Sequence, residues 1–240
     1  MDTPTILVVC TGNVRRSPAI EAMLREGVGQ IGGLARHGIN VISAGSEALE
    51  GYEMDPMIAS EVALAGTRLS RHQAYPLDVD DIESADLIIT AERSHRSEVA
   101  RLVPSAVKRT FTLVEIAALG DLLGRTALGG PAGSDADAAT RLRTLVQLAP
   151  LQRARRRVRR PADDDLVDLR KRSPREARRL VTEARGHVET LLRVLEPSLS
   201  LVSKPQRPAP VIPAPAEPVE TTQPRPIQPT HSTQSNRSVG

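Results

Sequence analysis

One stretch near the start of the chain combines a thiol, a tight turn and a guanidinium: Val8-Val9-Cys10-Thr11-Gly12-Asn13-Val14-Arg15-Arg16-Ser17-Pro18. An apolar run, Ile6-Leu7-Val8-Val9, ends at Cys10, the only cysteine in the protein. A polar loop through Thr11, Gly12, Asn13, Val14 and Arg15 leads to Arg16, and Ser17-Pro18 then opens a helical pattern. Strand, loop and helix N-terminus gather unpaired backbone N–H groups and the positive end of a helix dipole at one point, which makes an anion site. A thiol at the floor of such a cradle is favoured in its nucleophilic thiolate form. Arg16 adds a planar fork of donors suited to a tetrahedral oxyanion. The order Cys-x5-Arg-Ser reads as a phosphate pocket with a nucleophile beneath it.

The elements that must position this loop alternate between strand and helix. Thr5 to Val9 is expected to be a buried parallel strand, and Ser17 to cap the next helix with Pro18 in its first position. Ile20, Met23, Leu24 and Val28 share one helical face, and Gly29, Gly32 and Gly33 end it. A second strand, Ile39 to Ser43, precedes Ala44-Gly45-Ser46, and Asp55-Pro56 starts a helix whose stripe is Ile58, Val62 and Ala65. Asp86 to Thr90 reads as a third strand, followed by a short helix that stops before Pro104. Lys108 to Thr112 supplies a fourth, and Val114 to Leu123 is helical. In Ser173-Pro174-Arg175-Glu176 a capping box opens a long final helix with apolar residues from Ala177 to Leu195 at i, i+3, i+4 spacing. The expected fold is α/β, an open parallel four-stranded sheet flanked by helices, with ligands at the C-terminal ends of the strands, where Cys10 falls.

Two regions fall outside this pattern. Residues 124–162 read as an insertion holding a turn region, a helix from about Asp135 to Ala149, and the arginine run Arg153 to Arg160. That run is expected to be a solvated helix face, with contact to an anionic polymer or membrane surface as the alternative. Residues 198–240 are rich in Pro, Thr, Gln and Ser and are expected to form a disordered tail of polyproline II character. The phosphate-site domain is thus assigned to residues 1–197.

Composition narrows the function. The 240 residues are 40% hydrophobic, and Tyr52, Tyr75 and Phe111 are the only aromatics, so the core must be aliphatic. A single cysteine excludes an internal disulfide and multi-cysteine metal sites. His37, His95, His187 and His231 form no ligand pattern, and neither metal nor cofactor is expected. A net charge of +3 gives no sign of specific nucleic-acid binding. Neither a signal pattern nor a membrane span is read, which points to a reducing cytoplasm.

The loop resembles the signature of the low-molecular-weight protein tyrosine phosphatases, Cys-x-Gly-Asn-x-Cys-Arg-Ser-Pro after a first strand. The resemblance extends to Ser43-Ala44-Gly45-Ser46, Arg71-His72, Ala85 to Thr90 and Arg109 to Glu115, and resumes from Asp164 to Leu195. It implies the phosphotyrosine protein phosphatase I-like fold, a phosphorylated protein as substrate, and a bacterial cytoplasmic role in tyrosine dephosphorylation. Carried over residue by residue, it implies Cys10 as nucleophile and Arg16 with the loop amides as oxyanion donors. Asp168 is implied as general acid by its spacing to the last helix, with Asp163, Asp164 and Asp165 as rivals. Asn13, Ser17, Ser43 and His72 correspond to residues that brace the loop.

Four departures from that pattern stand out. Arg15 replaces the second cysteine, so no backup disulfide can protect Cys10 from oxidation. Leu169 follows Asp168 where the family has proline. Leu49 and Leu169-Arg170 stand where pocket aromatics are expected, removing stacking worth about 0.5–1.5 kcal/mol per aromatic pair. The insertion is the fourth, with covering or extending the site as its expected consequence. Two other functions fit parts of this evidence: arsenate reduction with an external small thiol, and a non-catalytic phosphate-binding interaction module.

Overall fold

The structure, a computed structural model, describes residues 3–30, 38–129, 138–156, 160–168 and 173–195. These belong to one compact unit, residues 1–208. The second unit, residues 209–240, and the expected tail lie outside the described residues, as do Gly32 and Gly33.

The strands are β1 (Thr5–Cys10), β2 (Asn40–Gly45), β3 (Leu87–Thr90) and β4 (Thr110–Thr112). They form a parallel sheet in the order β2-β1-β3-β4, so β1 is central and Cys10 pairs in register with Gly45. Ile6, Leu7, Val8 and Val9 have no exposed surface, because a parallel strand is covered on both faces. Ile6, Val8 and Cys10 face one layer and Leu7 and Val9 the other. The first layer holds α1 (Arg16–Gln30), α5 (Leu113–Gly129) and α7 (Pro174–Leu195), with α2 (Pro56–Leu64) against α7. On the second lie α3 (Val79–Ser84) and α4 (Arg93–Leu102), which bring Ile82 and Val99 to the sheet. α1 and α7 approach closely at Gly27, where a Cβ atom would stand 2.1 Å from Leu192 Cδ1.

The final helix begins as expected, with Ser173 Oγ accepting from the Glu176 amide at 3.3 Å. Leu180, Leu191 and Leu195 are fully buried along its inner face. α5 starts one residue before the expected helix and breaks at Gly124, whose φ of 66° is left-handed. Helix α3 was not expected. It is capped by Asp78 but buries only Ile82, too few apolar residues for a periodic signal.

The described part of the insertion corrects one expectation. Helix α6 (Ala138–Gln152) packs on α5, on α7 and on the 3-10 turn Pro104–Arg109 that leads into β4. At Arg153 and Arg156 the arginine run is not the expected solvated helix face. It begins in a 3-10 turn, Arg153–Arg155, where Arg153 stacks over Phe111 at 4.6 Å and donates to Glu115 Oε1 at 2.8 Å and Thr110 O at 3.2 Å. Glu115 is buried and also accepts from Arg96 at 3.0 Å, so one carboxylate ties α4, α5 and the insertion together. Arg156 pairs with the buried Asp164. Residues 157–159 lie outside the described residues.

Candidate active site

A phosphate loop works only if its N–H groups face inward, which requires its carbonyls to be occupied elsewhere. Here consecutive carbonyls are each held. The Cys10 carbonyl accepts from the Ser46 amide at 3.0 Å, Thr11 from Glu47 at 2.9 Å and Gly12 from Leu49 at 3.1 Å. Val14 accepts from the Asp55 amide at 2.7 Å and Arg15 from Ala19, inside α1, at 3.4 Å. The Asn13 carbonyl takes His72 Nε2 at 2.7 Å, which places the ring proton on that nitrogen. Among the described residues, the N–H groups of Gly12 to Arg16 meet no backbone acceptor.

The turn itself is made by Asn13, whose φ of 51° is left-handed, a conformation that asparagine tolerates better than most side chains. Its amide is fully committed. Oδ1 accepts from the Tyr75 amide at 2.9 Å, while Nδ2 donates to Ser17 Oγ and Ser43 Oγ, each at 2.8 Å. Ser43 in turn donates to Glu21, which pairs with Arg25 at 3.0 Å. Gly45 lies beneath the turn. A Cβ there would stand 2.5 Å from the Thr11 carbonyl oxygen, so only glycine lets β2 pass this close.

Cys10 is buried at the floor, its Sγ 3.0 Å from Ser17 Oγ. Since Asn13 donates into Ser17 Oγ, the serine proton is directed to the sulfur or to the Ala44 carbonyl at 3.4 Å. Ser17 therefore does not cap the helix, which starts at Arg16; its hydroxyl serves the thiol instead.

Arg16 is buried and oriented from outside the loop. Glu92, just after β3, takes Nη1 at 2.8 Å, and Nη2 lies 3.4 Å from Thr11 Oγ1. Burial pushes the Glu92 carboxyl up, but hydrogen bonds from Ser94 and Arg16 outweigh it and hold the group below the usual carboxylate range. Thr11 Oγ1 also meets His95 Nε2 at 2.9 Å. Burial holds the His95 imidazole below its ordinary range, and among the described residues its Nδ1 has no hydrogen-bond partner. Arg15, by contrast, turns away from the cradle to Asp55 at 3.1 Å.

Of the four candidate acids, three are engaged elsewhere. Asp163 accepts from the Arg160 amide at 3.1 Å, Asp164 pairs with Arg156, and Asp165 binds Arg93. Asp168 is 68% exposed, with Oδ1 3.8 Å from Arg16 Nη2. Leu49, half exposed, lies beside Gly12 at the rim, while Leu169 and Arg170 lie outside the described residues. Sequence reading passed over Glu21 and Glu92 and weighed His95 only as a metal ligand. Glu21 carried a signal, one helical turn after Ser17; Glu92 sat at the C-terminal end of a strand, where ligands bind.

A buried thiol under an anion cradle, at the switch point of a parallel sheet, is a site suited to phosphoryl transfer through sulfur. A family profile described as low molecular weight phosphotyrosine protein phosphatase matches residues 5–119. The chain is 38% identical over 112 residues to the probable low molecular weight protein-tyrosine-phosphatase EpsP of Ralstonia solanacearum, covering 47% of this chain and 72% of EpsP. This chain therefore belongs to the low molecular weight protein-tyrosine-phosphatase family. Its fold matches that of the Erwinia amylovora tyrosine phosphatase AmsI, with TM-score 0.54 and 20% identity over 81% of this chain and 95% of that one. It also matches the YwlE arginine phosphatase of Geobacillus stearothermophilus, with TM-score 0.55 and 22% identity over 81% and 94%.

Two outcomes follow from the geometry. Gly45→Ala must displace Thr11, and a shift of that kind lowers activity and phosphate affinity by roughly 10²-fold while the circular dichroism stays native. Unchanged phosphate inhibition would show that the loop does not depend on this approach. For His95 the folded pKa is depressed, so the unfolded chain binds more protons below the ordinary histidine value of about 6.5. Stability is then fully present above that pH and falls on acidification; His187, also pushed down by burial, acts in the same sense. Urea unfolding across pH should show a shallower acid loss in His95→Gln than in the parent, and identical slopes would contradict the buried neutral ring.

Proposed function

We propose that this chain hydrolyses phosphotyrosine in proteins through a phosphocysteine on Cys10. The observation that carries this reading is the cradle itself: loop carbonyls taken by donors outside the loop, loop N–H groups without a backbone acceptor among the described residues, and Arg16 held by Glu92 at the far end of the loop from the buried Cys10. The Cys10 thiolate attacks phosphorus; the S–P bond forms as the bond to the leaving oxygen breaks. The loop N–H groups and Arg16 hold the equatorial oxygens as charge spreads over them. Asp168 gives its proton to the leaving phenol oxygen, then accepts one from the water that attacks phosphorus. That second attack breaks the S–P bond, releases phosphate and returns the thiolate, which Ser17 stabilises by donation. The 3.8 Å between Asp168 and Arg16 supports this role for the carboxyl.

Tyrosine is favoured as the leaving group because the relatives found by sequence are named as tyrosine phosphatases. Leu49 offers the ring an aliphatic wall where the family uses an aromatic. The lone thiol, with no second cysteine in the sequence to resolve it, supports an activity in a reducing compartment, the cytoplasm. The partner is a phosphorylated protein.

The test is hydrolysis of p-nitrophenyl phosphate and a phosphotyrosine peptide by the purified chain across pH. Cys10→Ser should abolish turnover and Asp168→Asn should slow it by roughly 10²-fold on the peptide, within the usual range for general acid–base catalysis. No turnover by the parent protein, with inorganic phosphate still bound, would instead make the site a binding module.

A further inference from the structure

In this chain Asp168 is followed by Leu169, so the ring that fixes φ after the acid in the family pattern is missing. Something else must hold the acid loop. Arg93, the first residue of α4, makes three bonds to the one Asp165 carboxylate. Its amide and Nε reach Oδ1 at 2.8 and 3.2 Å, and Nη2 reaches Oδ2 at 3.2 Å. This is the paired-fork geometry that fixes direction as well as distance. Next along the loop, the buried Leu166 donates its amide to the Ala91 carbonyl at 2.9 Å. Asp168 is only three residues beyond Asp165, a reach of at most about 10 Å.

We propose that the Arg93–Asp165 clamp is the positioning device of this acid loop, setting the register that brings Asp168 to Arg16. The inference rests on Asp168 being the general acid. Both clamp side chains are partly exposed, 41% and 26%, so the pair adds little to global stability. Its effect is geometric. Ala91, Glu92 and Arg93 thereby act as one junction: Ala91 and Arg93 hold the acid loop, while Glu92 between them holds the oxyanion arginine.

A positioning role has a signature that a structural one lacks. Phenyl phosphate has a poor leaving group and needs the acid, whereas p-nitrophenyl phosphate needs it little. The quantity to measure is the ratio of kcat/KM for the two esters, in the parent, Arg93→Met, Asp165→Asn, Asp168→Asn and the Arg93→Met/Asp168→Asn double variant. Inorganic phosphate inhibition reports whether the cradle is intact in each. Asp168→Asn should lower the ratio by roughly 10²-fold and either clamp variant by about tenfold, with no further fall in the double variant because the residues act through one group. Arg93→Lys, which keeps the charge but not the fork, should restore the ratio only in part. A ratio that falls in Asp168→Asn but not in the clamp variants overturns the proposal and leaves the acid in place. A ratio unmoved by Asp168→Asn removes the acid assignment, and the clamp with it.

Discussion

Peptide carbonyls and an anion compete for the same space, and a loop can bind phosphate only when its own oxygens are drawn away. In this protein that task falls to the segment from Ser46 to Asp55, which supplies amides to the carbonyls of Cys10, Thr11, Gly12 and Val14, and to His72, which donates to the carbonyl of Asn13. The left-handed turn at Asn13 and the absence of a side chain at Gly45 are the two conformational conditions for that arrangement. The central strand β1, covered on both faces, provides the fixed end from which the loop departs. Burial of the sheet, the glycine under the turn and the cradle above it are therefore one construction.

Charge is organised around the same point. Asn13, Ser17, Ser43 and Glu21 form a chain of hydrogen bonds in which each amide or hydroxyl proton has an acceptor within reach, the Ser17 proton having two, the Cys10 sulfur and the Ala44 carbonyl. On the other side, Glu92 holds Arg16 in advance of any ligand, which lowers the reorganisation needed when an oxyanion arrives. The insertion contributes from a distance: Arg153 and Arg156 anchor it through Glu115 and Asp164, so that the chain returns from it to the strand ends with the acid loop in place.

What could be read from the sequence follows a physical line. The strands were legible because a buried parallel strand is a continuous apolar run, and α7 because its stripe repeats from Ala177 to Leu195. The loop was legible because strand, Cys-x5-Arg and helix start are contiguous. Asp168 was singled out by its spacing to Ser173, and the structure sets it beside Arg16 while its rivals meet other arginines. What stayed hidden depends on contacts between distant segments. Nothing local tells that Ser17 would turn from capping to the thiol, or that Glu92 and His95 would reach residues 76 and 84 positions away. The arginine run looked like a solvated face because charge density alone cannot reveal a buried carboxylate such as Glu115 waiting for it.

The central claim is that the cradle presents phosphorus to the sulfur of Cys10. Rapid acid quenching of the purified chain during turnover of a phosphotyrosine peptide, followed by mass spectrometry of the fragment carrying Cys10, tests it most directly. The account predicts one phosphoryl group on that cysteine, present during turnover and gone once substrate is exhausted. Release of phosphate with no phosphorylated intermediate, or a phosphoryl group on any other residue, would contradict it.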